Sequence, residues 1–167
     1  MNGFCAISLG SNDGNSKEIL SKVIELFKKD KIFRVEKVSS LYFTEPVETF
    51  PQPYFYNIVA IGNSFFDPFE TLKYFLSLEN VFGRVRSKRK GKRTLDIDLL
   101  FYKESIIKTD VLTLPHPSLL SRKCVLIPLK EISPRWKHPQ TGSTIDQLLS
   151  RLNGALKVIK LEETIFS

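Results

Sequence analysis

The feature that most constrains this chain is a change of hydrophobic period that runs two, 3.6, two, two, 3.6, two. "FCAISLGSN" (4–12) reads as a buried strand ending at Gly10. "KEILSKVIELFKKD" (17–30) places Ile19, Val23, Leu26 and Phe27 at helical spacing, with Ser16 as its expected cap. "IFRVEKVSSLYF" (32–43) alternates as one strand should, and "TEPVETFPQPY" (44–54), with three prolines, must be a loop. "FYNIVAIGNSFF" (55–66) is a second alternating run, expected antiparallel to the first. Pro68 opens a helix over 69–82, with Phe69, Leu72, Leu76 and Leu78/Glu79 near its faces, and "TLDIDLLFY" (94–102) closes the series as a strand. The order β-α-β-β-α-β predicts an α+β, ferredoxin-like core. Two helices would cover one face of an antiparallel sheet, leaving the other face and its loops for a ligand. Beyond residue 103 come short extended pieces, a Pro-punctuated turn and a terminal helix near 144–152, as a C-terminal extension to a single domain.

Charge is concentrated rather than spread. Of 25 Lys and Arg, seven lie in "RVRSKRKGKR" (84–93), and the 18 that remain equal the 18 acidic residues, so the net +7 belongs to one window. That favours a local anion site over a basic surface that tracks a duplex. Charge runs are usually solvated surface, but this one sits between a helix and a strand and leads directly into two carboxylates. Residues i and i+2 of a strand share a face about 6.6 Å apart. Asp96 and Asp98 therefore point one way, and Leu95, Ile97 and Leu99 point to the core. Carboxylates so placed suit one or two Mg²⁺ ions, which keep waters and phosphates as their other ligands. A solvated strand face is the plainer reading of a bare D-x-D; the adjoining cations reverse the preference. Arginine adds bidentate contacts to phosphate oxygens.

Other classes are disfavoured. No G-x-x-x-x-G-K-[ST] occurs, and "GSNDGN" is too short a glycine cluster to count as a phosphate cradle. Ferredoxin-like sheets can bind RNA and the chain has 19 aromatic residues, but the RNA-binding signature is absent and a central acidic pair would repel a phosphate backbone. No apolar run approaches the roughly 18 residues that span a bilayer. The N-terminus lacks a signal-peptide pattern, and Cys5 and Cys124 have no CxxC or zinc-ligand spacing. A cytoplasmic, monomeric protein without nucleic-acid or membrane partners is expected, with no room for a fused second enzyme.

Four blocks, "SLGSNDGN" (8–15), "SSLYFTEP" with "YNIVA" (39–46, 56–60), "GRVRSKRKGKRTLDIDLL" (83–100) and "LPHPSLLSRKCVLIPLKEISPRWKHPQTG" (114–142), resemble the 6-hydroxymethyl-7,8-dihydropterin pyrophosphokinase (HPPK) family of folate biosynthesis. They span residues 4 to about 150 without rearrangement. The resemblance implies that the hydroxymethyl oxygen of the pterin attacks the β-phosphorus of ATP and releases AMP. It implies that Asp96 and Asp98 hold two Mg²⁺ ions, and that Arg84, Arg86, Arg89 and Arg93 belong to a catalytic loop. Glu79, Arg86, Arg93, Ile97, Thr113, His116 and Arg122 match ATP positions. Gly10, Thr44, Val47, Phe55, Asn57 and Cys124 match the pterin pocket. An asparagine suits a pterin edge because its amide both donates and accepts. No general base is evident: His116 is the candidate by side chain and is assigned to binding, or simply to the turn between its flanking prolines. His138, in "WKHP", reads as structural.

Three departures stand out. Lys90 replaces an aromatic residue, often Trp, and Gly91-Lys92 replaces Gly-Pro. Cys124 falls where the family tends to place Phe as a second wall against the pterin, which predicts weaker binding of that ring or a substitute aromatic from a neighbouring position. As a plainer reading, Cys124 is a small buried hydrophobe. Loops 44–54 and 84–93 are expected to act as lids that order when both substrates bind. A different Mg-dependent phosphoryl or nucleotidyl transferase, or an RNA-binding module, are the alternatives.

Overall fold

The computed structural model describes residues 3–46, 52–83, 92–154 and 156–162. Val47, Arg84, Arg86, Arg89, Lys90 and Gly91 lie outside the described residues, as do residues 47–51 of the first expected lid and 84–91 of the second.

Elements follow in the order β1 (Gly3–Ser11), α1 (Ser16–Lys29), β2 (Phe33–Val38), β3 (Tyr42–Thr44), β4 (Phe55–Ser64), α2 (Pro68–Val81), β5 (Asp96–Tyr102), β6 (Ile107–Lys108), β7 (Thr113–Leu114), a 3₁₀ turn (Pro117–Leu120), α3 (Lys123–Ile132), α4 (Ile145–Ser150) and β8 (Val158–Lys160). The main sheet runs β5-β1-β4-β3-β8, with β2 also paired to β4, and every pairing is antiparallel. This is the expected ferredoxin-like α+β core. β6 and β7 make a separate small sheet.

Local chemistry explains the helices. α1 buries Leu20, Val23, Ile24 and Phe27, and carries Glu18 in its first turn and Lys28 and Lys29 in its last, in favourable order for the helix dipole. It starts at Ser16 instead of being capped by it, because Ser16 Oγ is engaged by the Ser11 hydroxyl at 2.8 Å. Asp67 caps α2, accepting from the N–H groups of Phe69 and Glu70, with Pro68 at the first helical position. In α4, Thr144 and Gln147 complete a capping box.

The run 32–43 is two strands, not one. Val38 pairs with Ala60 and Tyr42 with Asn57, four residues against three, so the ladder must skip a step. Ser39 bridges the gap: its N–H donates to Val59 O and its hydroxyl accepts from Val59 N–H. The expectation of an open second face is also corrected. α1 and α2 seal one face around Phe27, Phe33 and Phe75, whose rings meet edge-on at 5.0–5.8 Å. On the other face α3 and α4 cover Ala6, Val59, Ile61, Leu100 and Phe101. α3 was not among the expected elements: it falls in the stretch read as short extended pieces, although Val125, Leu126 and Leu129 recur at helical spacing around an internal Pro128. Glu131 fastens α3 to the sheet, accepting from Ser40 N–H and Oγ, Tyr42 OH and Lys160 Nζ. Cys5 is fully buried on the α1/α2 face, and burial pushes its thiol pKa to about 12.

Candidate functional site

β5 is the edge strand beyond β1, and its phase is set by the core. Leu95, Ile97 and Leu99 are almost completely buried, while Asp96 and Asp98 are half-buried on the opposite side. A bulge opposite Ala6/Ile7 then resets the alternation, so Leu100 and Phe101 both join the second core cluster. As an edge strand, β5 has a backbone N–H with no strand partner at Ile97, and Glu79 of α2 takes it at 2.8 Å. A carboxylate 1% exposed on the apolar stripe of a helix is unusual, and this contact accounts for it.

Between α2, β5 and the 109–117 segment lies a cavity of about 360 Å³, whose lining includes Glu79, Asp96, Ile97, Asp98, Thr113 and His116. The structure thus brings together all but two of the described residues assigned to ATP. Those two, Arg93 and Arg122, stand beside the aspartates. Arg93 Nη1 is 2.5 Å from Asp96 Oδ2, Arg122 Nη1 is 4.0 Å from Asp98 Oδ2, and His116 Nε2 is 3.8 Å from Asp98 Oδ1. The apolar lining from Leu72, Leu76, Val111 and Leu112 was not foreseen; sequence spacing places the two α2 leucines only near the faces of their helix.

Burial, then the neighbouring Asp96 charge, raises the Asp98 pKa, with His116, Arg122 and Arg93 pulling the other way. Burial pushes His116 below its ordinary value, and the charge of Asp98 only partly opposes this. His116 also serves the turn between its prolines, its Nδ1 accepting from Ser118 N–H at 3.1 Å. With Nδ1 so engaged, a neutral ring carries its proton on Nε2, the side facing Asp98.

The described strand residues assigned to the pterin, Gly10, Thr44, Phe55 and Asn57, lie on the same face as the aspartates. Gly10 pairs in the sheet with Asn57 on one side and with Asp96 on the other. Two inter-strand spacings, about 10 Å, therefore separate the backbones of Asn57 and Asp96. Asn57 Nδ2 donates to Thr44 Oγ1 at 2.9 Å, and Phe55 pairs with Thr44. A Cβ on Gly10 would stand 3.1 Å from Asn57 Oδ1, so the glycine leaves room for that acceptor. Cys124, at the start of α3, packs in part against the second cluster; burial raises its pKa, and Arg122 and Asp98 are near enough to act on it.

Residues 6–134 match the family defined as 7,8-dihydro-6-hydroxymethylpterin-pyrophosphokinase (HPPK). The chain belongs to this family. It is 37% identical over 147 residues to the 2-amino-4-hydroxy-6-hydroxymethyldihydropteridine pyrophosphokinase of Bacillus subtilis, covering 88% of each chain. It is 36% identical to the protein of the same name from Synechocystis, covering 88% of this chain and 75% of that one. The folic acid synthesis protein fol1 of Schizosaccharomyces pombe is 34% identical, with 90% of this chain matching 21% of that longer protein. Among solved structures, Plasmodium falciparum HPPK-DHPS with SDX-DHP superposes with a TM-score of 0.73 at 17% identity, over 90% of this chain and 44% of that one; this likeness concerns the fold.

Two features of this HPPK chain were open from sequence. Lys92 forms an exposed pair with Asp13 at 3.9 Å. His138 is buried edge-on to Trp136 and lines none of the cavity, and its buried Nδ1 has no hydrogen-bond partner among the described residues. Cys5 and Cys124 are both free thiols, and among the described residues no helix is long and apolar enough to cross a membrane.

Proposed function

We propose that the protein transfers the pyrophosphoryl group of ATP to the hydroxymethyl oxygen of 6-hydroxymethyl-7,8-dihydropterin, yielding the pterin diphosphate and AMP in folate biosynthesis. The observation that carries this reading is the row Asn57–Gly10–Asp96, which sets an acceptor-reading amide beside a carboxylate pair backed by two arginines and a histidine. Its support from relatives is the name borne by the Bacillus and Synechocystis proteins.

Among the described residues no three His, Cys, Asp or Glu groups are placed to hold a metal ion together. Two adjacent carboxylates nevertheless fit Mg²⁺, which takes few protein ligands and fills its shell with water and phosphate. Asp96 and Asp98 would hold it, as two ions. Bound there, Mg²⁺ neutralises polyphosphate charge. Arg93 and Arg122 lie where they can meet phosphate oxygens directly. Asn57, oriented by its bond to Thr44, keeps Oδ1 as acceptor and one amide N–H as donor for the pterin edge. Phe55 offers a ring to the pterin face, and Cys124 offers none opposite. Glu79 holds β5 in the register that presents both aspartates. Catalysis on this plan is positioning and electrostatics, without a dedicated general base. The two free thiols fit a reducing, cytoplasmic setting, and the protein is taken to act as a monomer.

Incubation with ATP, Mg²⁺ and the hydroxymethyl-dihydropterin tests the proposal. AMP and pterin diphosphate are expected in equal amounts; ADP, or no turnover, would overturn it.

A further inference from the structure

We infer that Asn12 is a positioning residue that couples the acceptor and nucleotide sites of the proposed reaction, by tying residues 52–53 to Arg93. Asn12 follows β1 two residues beyond Gly10 and is 4% exposed, although nothing about its type requires burial. Its main-chain N–H donates to Arg93 O at 3.0 Å, and its Oδ1 accepts from Arg93 N–H at 2.7 Å. The last backbone pair between β1 and β5 is Gly10 with Asp96. The Asn12 side chain therefore extends that ladder past its end and holds the backbone of the arginine whose guanidinium grips Asp96.

The other end of the amide faces the acceptor side. Nδ2 donates to Pro53 O at 3.3 Å and to Gln52 Oε1 at 3.4 Å. Residues 52–53 lead directly into β4, which carries Phe55 and Asn57. Three of the amide's four hydrogen-bonding positions are thus used, and they fix its orientation: reversing it would set donor against donor at Arg93. The contacts join segments 41 and 81 positions distant from Asn12. The arm to Arg93 is short and the arm to 52–53 is long, so the second arm is the one that can tighten when a ring occupies the acceptor site. Occupancy at one site then favours the other, and linkage makes the effect reciprocal.

This inference rests on the proposed function, and one set of titrations separates the two. Binding of α,β-methylene-ATP with Mg²⁺ and of the hydroxymethyl-dihydropterin is measured by calorimetry, each alone and each with the other present. The analogue cannot break at the bond the reaction cleaves, so the ternary complex persists. Asn12→Asp keeps an acceptor for Arg93 N–H but has no donor for Pro53 O or Gln52 Oε1. Any effect of its new charge on nucleotide affinity appears in the single-ligand titration and cancels from the coupling factor. The coupling factor of the parent is expected to fall about five-fold or more in Asn12→Asp. In Gln52→Ala, a change at a half-buried position that leaves the Arg93 arm intact, it should fall by a smaller amount. Parent-like coupling in both variants, even with a lowered melting temperature, would reduce Asn12 to a structural residue and overturn the inference alone. Two ligands that bind the parent without influencing each other would do the same. Failure of the parent to bind either ligand would bring down the proposed function and the inference with it.

Discussion

The two faces of the sheet make different use of the same strands. On the α1/α2 face β1, β4 and β5 present a largely apolar surface, closed by the Phe27–Phe33–Phe75 group and edged by the buried Ser11–Ser16 and Ser64–Thr71 hydroxyl pairs. On the α3/α4 face the apolar surface stops partway, at Ala6, Val59, Leu100 and Phe101, and the strands continue with Gly10, Asn57, Asp96 and Asp98. One face therefore carries stability along its whole length, whereas the other divides into a packed half and a polar half. Substitutions on the first should act on folding, and those on the polar half on turnover.

The sharpest challenge to that division is Phe75→Ala. Loss of a ring packed against two others should cost about 3–5 kcal/mol of unfolding free energy, with AMP formation per folded molecule unchanged. Urea titration read alongside activity tests both halves of the expectation. Asp96→Ala should do the reverse, lowering AMP formation by about 10²–10³-fold or more while the unfolding midpoint stays near that of the parent. If it unfolded the protein instead, the two faces would not be separable. Glu131 tests the packed half. Glu131→Ala removes the acceptor shared by Ser40, Tyr42 and Lys160 and should destabilise by about 1–3 kcal/mol.

Burial pulls the Glu131 pKa up, but the hydrogen bonds from Ser40, Tyr42 and Lys160 outweigh it and hold the carboxyl below the ordinary 4.5. Its folded pKa lies below its unfolded one, so its contribution is complete above 4.5 and fades as pH falls through the folded value. Glu131→Gln should flatten the acid limb of the stability curve; an unaltered limb would place that pH dependence elsewhere. The smallest effect belongs to Cys124→Phe. A ring opposite Phe55 should tighten the pterin by about 0.5–1.5 kcal/mol, read as a lower dissociation constant. An unchanged or weaker affinity would mean that position 124 does not face the ring.

Much of this was legible because periodicity reports burial directly. The six core segments announced themselves, and Asp96 and Asp98 could be placed on one face from their spacing and the buried leucines around them. What stayed hidden depends on partners far along the chain. Nothing in 32–43 marks the break at Ser39, because the step is forced by β4. α3 falls in the stretch read as short extended pieces, despite helical spacing at Val125, Leu126 and Leu129 around an internal Pro128. Glu79 was matched to a nucleotide position by resemblance, while its bond to Ile97 N–H needed the edge of β5 to be known. Asn12 lay in a block that supported the resemblance, but nothing in its short glycine-containing motif pointed to contacts with Arg93 and Pro53.

The contrast between the two cysteines has a practical use. Cys5 is walled in, with its thiol held at a pKa of about 12, and Cys124 stands partly exposed beside Arg122 at the start of α3. The sequence contains no other cysteine. A maleimide or fluorinated alkylating reagent should therefore consume one equivalent per native chain, faster as pH rises, and a second only after unfolding. The molecule carries its own attachment point for a spectroscopic label at the start of α3, with no residue added or removed.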